Sequence, residues 1–311
     1  MTVRSRTVSL ALTAMLALAA VSGCGEDDSR AEDPTPVNGG SSGAADPGQG
    51  ADPSEDPTAD DPASSDDPGT EQTTVPVYLL GDTPIGPRLF REFHRVGADD
   101  PLARAAAVVT SGDPIDPDYR SPFPAGGELA AVTYDGGELV VELPDASWTE
   151  RPAGMSRQEA RLAVQALVYT LQGVQQERAP MRTVLDGEPA MLLGVDSGSG
   201  MQQAPQLDVL AFVNVTAPEE GATVSGTVHA HGVASSFEAT VPWQVRDASG
   251  TVVKKGFSTA EGWMDKLYPW ETEIDLSGLA PGEYTFVAMT DDPSGGEGGG
   301  PTEDTKTIVV Q

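Results

Sequence analysis

A single cysteine, Cys24, stands in a chain of 311 residues. One thiol has no partner for a disulfide within the chain, and zinc sites of the multi-cysteine kind fall with it. Basic residues are scarce as well: 18 Lys and Arg face 48 Asp and Glu, for a formal charge of −30. Nucleic-acid phosphates would be repelled by that balance, so no nucleic acid is expected as a partner, and no polybasic membrane patch either. No apolar run is long. The uncharged stretch 8–21 covers about fourteen residues, short of the about twenty that a spanning helix needs. Catalytic signatures are missing too: there is no H-E-x-x-H and no phosphate-binding glycine loop ahead of a helix. The one G-x-S-x-G, at 39–43, has no strand before it and no helix after it to form a nucleophile elbow. No catalytic residue, metal or cofactor is therefore expected, and the chain reads as a non-enzyme.

What is present begins with a leader. Arg4 and Arg6 precede the apolar stretch, and the small residues Ser22 and Gly23 follow it, directly before Cys24. Basic front, short apolar centre and small residues describe a secretory signal peptide over residues 1–23. Val21-Ser22-Gly23-Cys24 resembles the lipobox of bacterial lipoproteins. That resemblance implies cleavage before Cys24, lipidation of its thiol, and a membrane partner reached through that lipid. The expected location is the cell membrane, lipid-anchored on its extracytoplasmic face.

Residues 24–74 read as a disordered tether. Between Gly25 and Thr74 there are fourteen acids and one base, and Val37 is the only aliphatic residue larger than Ala. Acid-proline pairs recur, from Asp33-Pro34 to Asp67-Pro68. Such a segment buries too little apolar surface to offset the entropy of ordering. A flexible chain of about fifty residues averages about 40 Å end to end, and like charge with proline extends it further.

The remaining residues suit two small domains, 75–196 and 205–311, with a Gly/Ser/Pro-rich break between them. In the first, residues 75–80 and 89–96 read as strands, and 101–109 as a helix capped by Asp99 or Asp100. A loop dense in Pro, Gly and Asp follows, then strands at 128–134 and 138–143 around the turn Asp135-Gly136-Gly137. Residues 156–174 are predicted as a helix. Ser156 and Glu159 make a capping box, and Ala160, Val164, Leu167, Val168, Leu171 and Val174 make one apolar stripe. A second hairpin is expected from strands at 181–185 and 190–193. The order is α+β.

The segments VVTSGDPIDPDYRSPFPAG, SRQEARLAVQALVYTLQ and VLDGEPAMLLGV, in that order, resemble a GerMN domain of sporulation and germination proteins. The resemblance implies no known catalytic residues and a fold similar to ring-building motifs of envelope assemblies. Self-association, or docking into a complex, is the expectation it carries.

In the second domain, alternation is dense. Phe237, Ala239, Val241, Trp243 and Val245 form one inward row; Trp270, Thr272, Ile274 and Leu276 a second; Val224, Gly226, Val228 and Ala230 a third. Six or seven strands with turns between them argue a β-sandwich. Leu279 to Tyr284 has the form of a tyrosine corner, in which the phenol bonds back to upstream backbone. The stretch VNVTAPEEGATVSGTVHAHGVASSFEATVPWQV resembles the immunoglobulin-like domain of bacterial spore germination proteins. The expected fold is thus an α+β domain followed by an all-β immunoglobulin-like sandwich, behind a disordered acidic tether.

Candidate functional residues are few. Tyr119 and Phe123 in the Pro-rich loop, with Trp263 and Tyr268 in GWMDKLYPW, are the aromatics for a binding surface; core packing is the competing account of each. His94 reads as surface or structural. His229 and His231 share a strand face and can hold a metal only with a third ligand, so a solvated face is preferred. Asp113, Asp116 and Asp118 lack the glycine of a calcium loop and read as a turn. Asp291, Asp292 and Glu297 read as a mobile loop, and the glycan-acceptor form Asn214-Val215-Thr216 as incidental. The function expected is a non-enzymatic envelope lipoprotein presenting two binding or assembly modules to an unidentified envelope or cell-wall partner. The alternatives are a cell-wall hydrolase and an extracytoplasmic sensor subunit.

Overall fold

A computed structural model describes residues 71–311, apart from 125, 294 and 298. The leader, Cys24 and most of the tether lie outside the described residues.

The first domain opens with a hairpin of two ten-residue strands, β1 (Gln72–Gly81) and β2 (Arg88–Gly97), paired along their whole length. Gln72, Thr73 and Thr74, expected to close the tether, are already in this sheet. Asp100 caps α1 (Pro101–Ser111): its carboxylate accepts from the Ala103 amide, and Pro101 stands where a missing N–H costs nothing. The chain then adds a two-residue strand, β3 (Tyr119–Arg120), to the other edge of β1. Strands β4 (Ala131–Asp135) and β5 (Glu138–Glu142) form the expected hairpin, although β4 begins three residues later than the alternation suggests.

Helix α2 (Arg157–Gln175) starts at the capping box, where the Glu159 amide donates to Ser156 Oγ and the Ser156 amide to Glu159. It returns to β6 (Met181–Leu185), which pairs parallel to β5. A parallel neighbour needs a crossover, and α2 supplies it. The second hairpin is shorter than expected. Its return strand is only β7 (Glu188–Pro189), and residues 190–193 are not a strand; Leu192 instead closes a tight bridge with Val195.

Periodicity predicts one buried stripe on α2, yet every residue from Leu162 to Gln172 is buried. The Gly/Ser-rich break supplies the extra cover. It runs back over the helix as a strap: Met201 pairs with Met181, Gln165 Nε2 donates to the Gln202 carbonyl, the Ala204 amide donates to Gln165, and Tyr169 donates to the Ala204 carbonyl. Gly173 lets β1 lie against the helix, because a Cβ there would sit 2.6 Å from the Pro76 ring.

The strap ends in a single turn, α3 (Gln206–Val209), and enters the second domain. One sheet has the order β13-β10-β8, from β8 (Val213–Ala217), β10 (Thr227–Ala234) and β13 (Tyr268–Asp275). The facing sheet has the order β12-β11-β14-β15-β9, from β9 (Ala222–Val224), β11 (Thr240–Asp247), β12 (Val252–Thr259), β14 (Gly282–Met289) and β15 (Glu303–Val310). Val213, Val241, Val245, Trp270, Ile274, Phe286 and Ile308 fill the space between them. With no disulfide available, this packing holds the sandwich. The Tyr284 phenol donates to the Ala280 carbonyl at 3.0 Å, the expected corner.

Two inward rows are corrected. The row at 224–230 breaks at Gly226, an exposed turn, so that β9 and β10 belong to opposite sheets. The row at 237–245 loses its first member, because residues 237–239 form a 3-10 turn that leaves Phe237 exposed while Ala239 still joins the core.

Candidate functional site

The loop after α1, DPIDPDY, is held on both sides. From β2, the buried Glu92 carboxylate accepts from the Ile115 amide at 2.9 Å and the Asp116 amide at 3.2 Å, and it meets His94 Nε2 at 2.8 Å. His94 is therefore a buried structural partner, not a surface group. Within the loop, the Asp118 amide donates to Asp116 Oδ1 at 2.8 Å, an Asx turn. The turn expected here exists, and its purpose is to aim Asp116 and Tyr119 at the second domain.

There they meet β15. This strand turns Asp304, Lys306, Ile308 and Val310 inward. The last two lie in the sandwich core; the first two lie at its open end, which the first domain plugs. Lys306 Nζ donates to Asp116 Oδ2, to the Tyr119 phenol oxygen at 2.7 Å and to Asp304 Oδ1 at 3.1 Å. The Tyr119 phenol in turn donates to Asp304 Oδ1 at 2.6 Å, while Asp304 Oδ2 accepts from the Val215 amide at 2.6 Å and the Asn214 side-chain amide at 3.2 Å. All three ammonium protons are thereby spent. Lys306 also lies 4.6 Å from the centre of the Tyr119 ring, which stacks on Phe90. Asp118 accepts from the Thr305 hydroxyl at the rim.

Burial sets the titration of this cluster. It raises the Tyr119 phenol well above its ordinary range, so the group stays a donor. It also raises the carboxyls of Asp116 and Asp304, with Lys306 pulling the other way. For Lys306, burial alone favours the neutral amine, but Asp304 and Asp116 more than offset it and the ammonium is strengthened. A lysine held as an ammonium has no lone pair for attack. The cleft beside it, between Arg91, Glu92, Ile115 and Glu220, measures about 50 Å³, far below the several hundred of a substrate pocket. The arrangement works as a clamp.

A second group of bonds continues the junction. Arg91 donates to the Thr216 hydroxyl at 3.0 Å. Arg88 donates to the Leu207 carbonyl at 3.1 Å and to the Asp208 carbonyl, and its guanidinium lies over Phe212. The Ala211 amide donates to the Leu89 carbonyl at 2.9 Å, and Leu210, Ala211 and Leu267 join the apolar core of the first domain.

The aromatics proposed from sequence divide. Tyr119 and Phe123 are each only 5% exposed and offer no surface; Phe123 packs against Trp148. Trp263 is partly exposed, with its ring edge-on to Phe237, and Met264 beside it is exposed. Tyr268 is half-buried, bonded to Asp265 and covered by Lys266. His229 and His231 face each other with ring centres 5.4 Å apart, and His229 approaches Glu271 at 3.3 Å. Burial, then His229, lowers the His231 pKa. Among the described residues no group of three or more His, Cys, Asp or Glu is arranged to hold a metal. Asn214 is buried and bonded, so it is no glycan acceptor.

The family of sporulation and spore germination domains called Germane matches residues 69–190, where the sequence resembles a GerMN domain. The Gmad2 family, the immunoglobulin-like domain of bacterial spore germination, matches residues 212–297. The chain joins a Germane domain to a Gmad2 domain. The clamp lies between them, with Asp116 and Tyr119 from the Germane domain and Lys306 and Asp304 on the last strand of the Gmad2 sandwich. Among solved structures, the tandem GerMN domains of the sporulation protein GerM from Bacillus subtilis are similar at 13% identity and a TM-score of 0.36, over 46% of this chain and 49% of that one. The chain thus spans about half the length of that structure. CopC from Methylosinus trichosporium OB3b is similar at 20% identity and a TM-score of 0.22, over 32% and 93%. The endo-beta-1,4-mannanase from Thermotoga petrophila follows at 13% and 0.24, over 52% and 37%. No curated protein matches the chain.

Proposed function

We propose that this protein is a non-enzymatic, lipid-anchored envelope protein whose Germane and Gmad2 domains act as one rigid module for binding or assembly. The observation that carries the reading is the Asp116–Lys306–Asp304 cluster with Tyr119. Domains meant to move independently meet through wet, polar surfaces. Here two of the three partners of a buried ammonium, Asp116 and Tyr119, come from the other domain, so separating the domains forfeits those bonds and opens the cluster to water. A rigid pair presents a fixed face to a partner, and ordering costs at binding are small. The exposed apolar side chains of Phe237, Trp263 and Met264 on the Gmad2 side are the contact surface favoured by their exposure. Anchoring is assigned to Cys24, on the lipobox resemblance of residues 21–24.

Three experiments test the reading. In cells, Cys24→Ala is expected to abolish incorporation of labelled fatty acid; label that persists overturns the anchor. A photo-crosslinker at Trp263 of the full chain is expected to trap an envelope partner or a second copy, and the same probe at the buried Phe123 is expected to trap none. Hydrolysis of cell-wall fragments by the purified chain, abolished by a single carboxylate substitution, overturns the non-enzymatic reading.

A further inference from the structure

A groove of about 660 Å³ in the Germane domain lies between the first turns of α2 and the strap that passes over it. That volume falls in the range of small-ligand sites. Its lining includes the apolar Leu162, Met201 and Leu207, and the basic Arg88, Arg157 and Arg161 against one acid, Asp208. Three arginines line this groove on a chain whose formal charge is −30.

The placement of the two helical arginines is unfavourable in three ways. Arg157 and Arg161 are four residues apart on α2, so like charges face each other along one side of the helix. They occupy the N-terminal turns, where the helix dipole favours negative charge. Both are exposed, and the arginines that form ion pairs among the described residues are others: Arg104, Arg120, Arg182 and Arg246. Acids abound in this sequence, yet none is spent on these two. Arg88 borders the same groove. Its Nη1 is fixed by the carbonyls of Leu207 and Asp208, while its buried Nε finds no partner among the described residues. A local conflict of charge that an otherwise consistent sequence leaves standing marks a functional site.

We infer that this groove binds a phosphate-bearing ligand of the glycerol phosphate type, its oxyanion held by Arg88, Arg157 and Arg161 and its organic part resting on Leu162, Met201 and Leu207. A phosphate oxyanion answers the charge conflict: it pairs with forked guanidinium groups and separates the two like charges. The proposal goes beyond the clamp reading and does not depend on it.

The test uses the full chain with Cys24→Ala, so that no attached lipid contributes. Glycerol 1-phosphate is titrated calorimetrically, and flotation is measured with phosphatidylcholine vesicles with and without phosphatidylglycerol. Saturable binding of the soluble probe alone assigns a free phosphate ester; binding only to the phosphatidylglycerol vesicles assigns a lipid headgroup. Removing a charge-assisted hydrogen bond weakens binding by about tenfold or more. Arg157→Glu with Arg161→Glu is therefore expected to raise Kd by at least that factor, whereas Arg95→Glu with Lys255→Glu, an equal change of charge outside the groove, leaves it within about twofold. Circular dichroism confirms that each variant is folded. Absence of saturable binding to either probe, or equal weakening in both double variants, overturns the assignment.

Discussion

Replacing Lys306 by Met keeps most of the side-chain volume and deletes the cation. Asp116 and Asp304 are then left buried at 2% and 3% exposure, facing each other across the site the ammonium occupied. Removing one partner of a buried ion pair costs about 3–5 kcal/mol, because the remaining charge is stranded out of water. Against a total stability of about 5–15 kcal/mol that is about a fifth or more. At about 2–4 °C per kcal/mol for a chain of this size, the melting temperature at neutral pH should fall by about 6–20 °C. The pH dependence carries the sharper prediction. The carboxyls of Asp116 and Asp304 are already raised by burial, and removal of Lys306 raises them further. A carboxyl whose folded-state pKa lies above its unfolded value contributes stability that is fully present below the unfolded pKa and lost as pH rises through the folded one. The gap between variant and native chain should therefore narrow as pH falls from 7 towards about 4. Adding Asp116→Asn and Asp304→Asn to the variant should recover most of the stability at neutral pH, since neutral partners can replace a buried charge set at little cost. Calorimetric melts across this pH range measure all three chains. A variant within about 1 kcal/mol of the native protein at pH 7, or a gap that widens on acidification, refutes the account of the clamp.

Three further outcomes follow from individual side chains. Gly232 sits at the register shift between β10 and β8, and a Cβ there would lie 2.0 Å from the Asn214 carbonyl oxygen; Gly232→Ala should cost about 1–3 kcal/mol in denaturant unfolding by forcing β8 away. Tyr284→Phe removes the bond to the Ala280 carbonyl and should cost about 0.5–1.5 kcal/mol, with no change in the m-value. Ser156→Ala breaks the capping box of α2 at a cost of about 1 kcal/mol. The Glu159 carboxyl should nevertheless stay held low, because the chief cause, the backbone amide of residue 156, survives the substitution and only the smaller hydroxyl contribution is lost, as read by NMR titration.

Much of the architecture is legible residue by residue. The Ser156–Glu159 box places the start of α2, Leu139, Val141 and Leu143 place β5, and Leu279 to Tyr284 places the corner. These signals are local: a cap acts over three residues and a strand repeats every two. The misreadings share a cause as well. Phe237 continues an alternation that the backbone abandons for a turn, and Tyr119 is an aromatic in a Pro-rich stretch that the fold buries by stacking it on Phe90 and setting it against β15. A signal for the clamp is there in the pattern. Counting back by two from Ile308 and Val310 places Lys306 and Asp304 on the core-facing side, a charged pair where an apolar residue belongs.

The sequence by itself determined the periods, caps and turns of each element, and the acidic, single-cysteine character of the chain, because these depend on neighbours a few positions apart. Only the tertiary structure decided that the Gly/Ser-rich break is a strap over α2, that β5 and β6 run parallel, and that Asp116 and Lys306, 190 positions apart, form one ion pair. The reason is that a buried charge is tolerated only where several distant donors and acceptors converge, and convergence is a property of the packed chain.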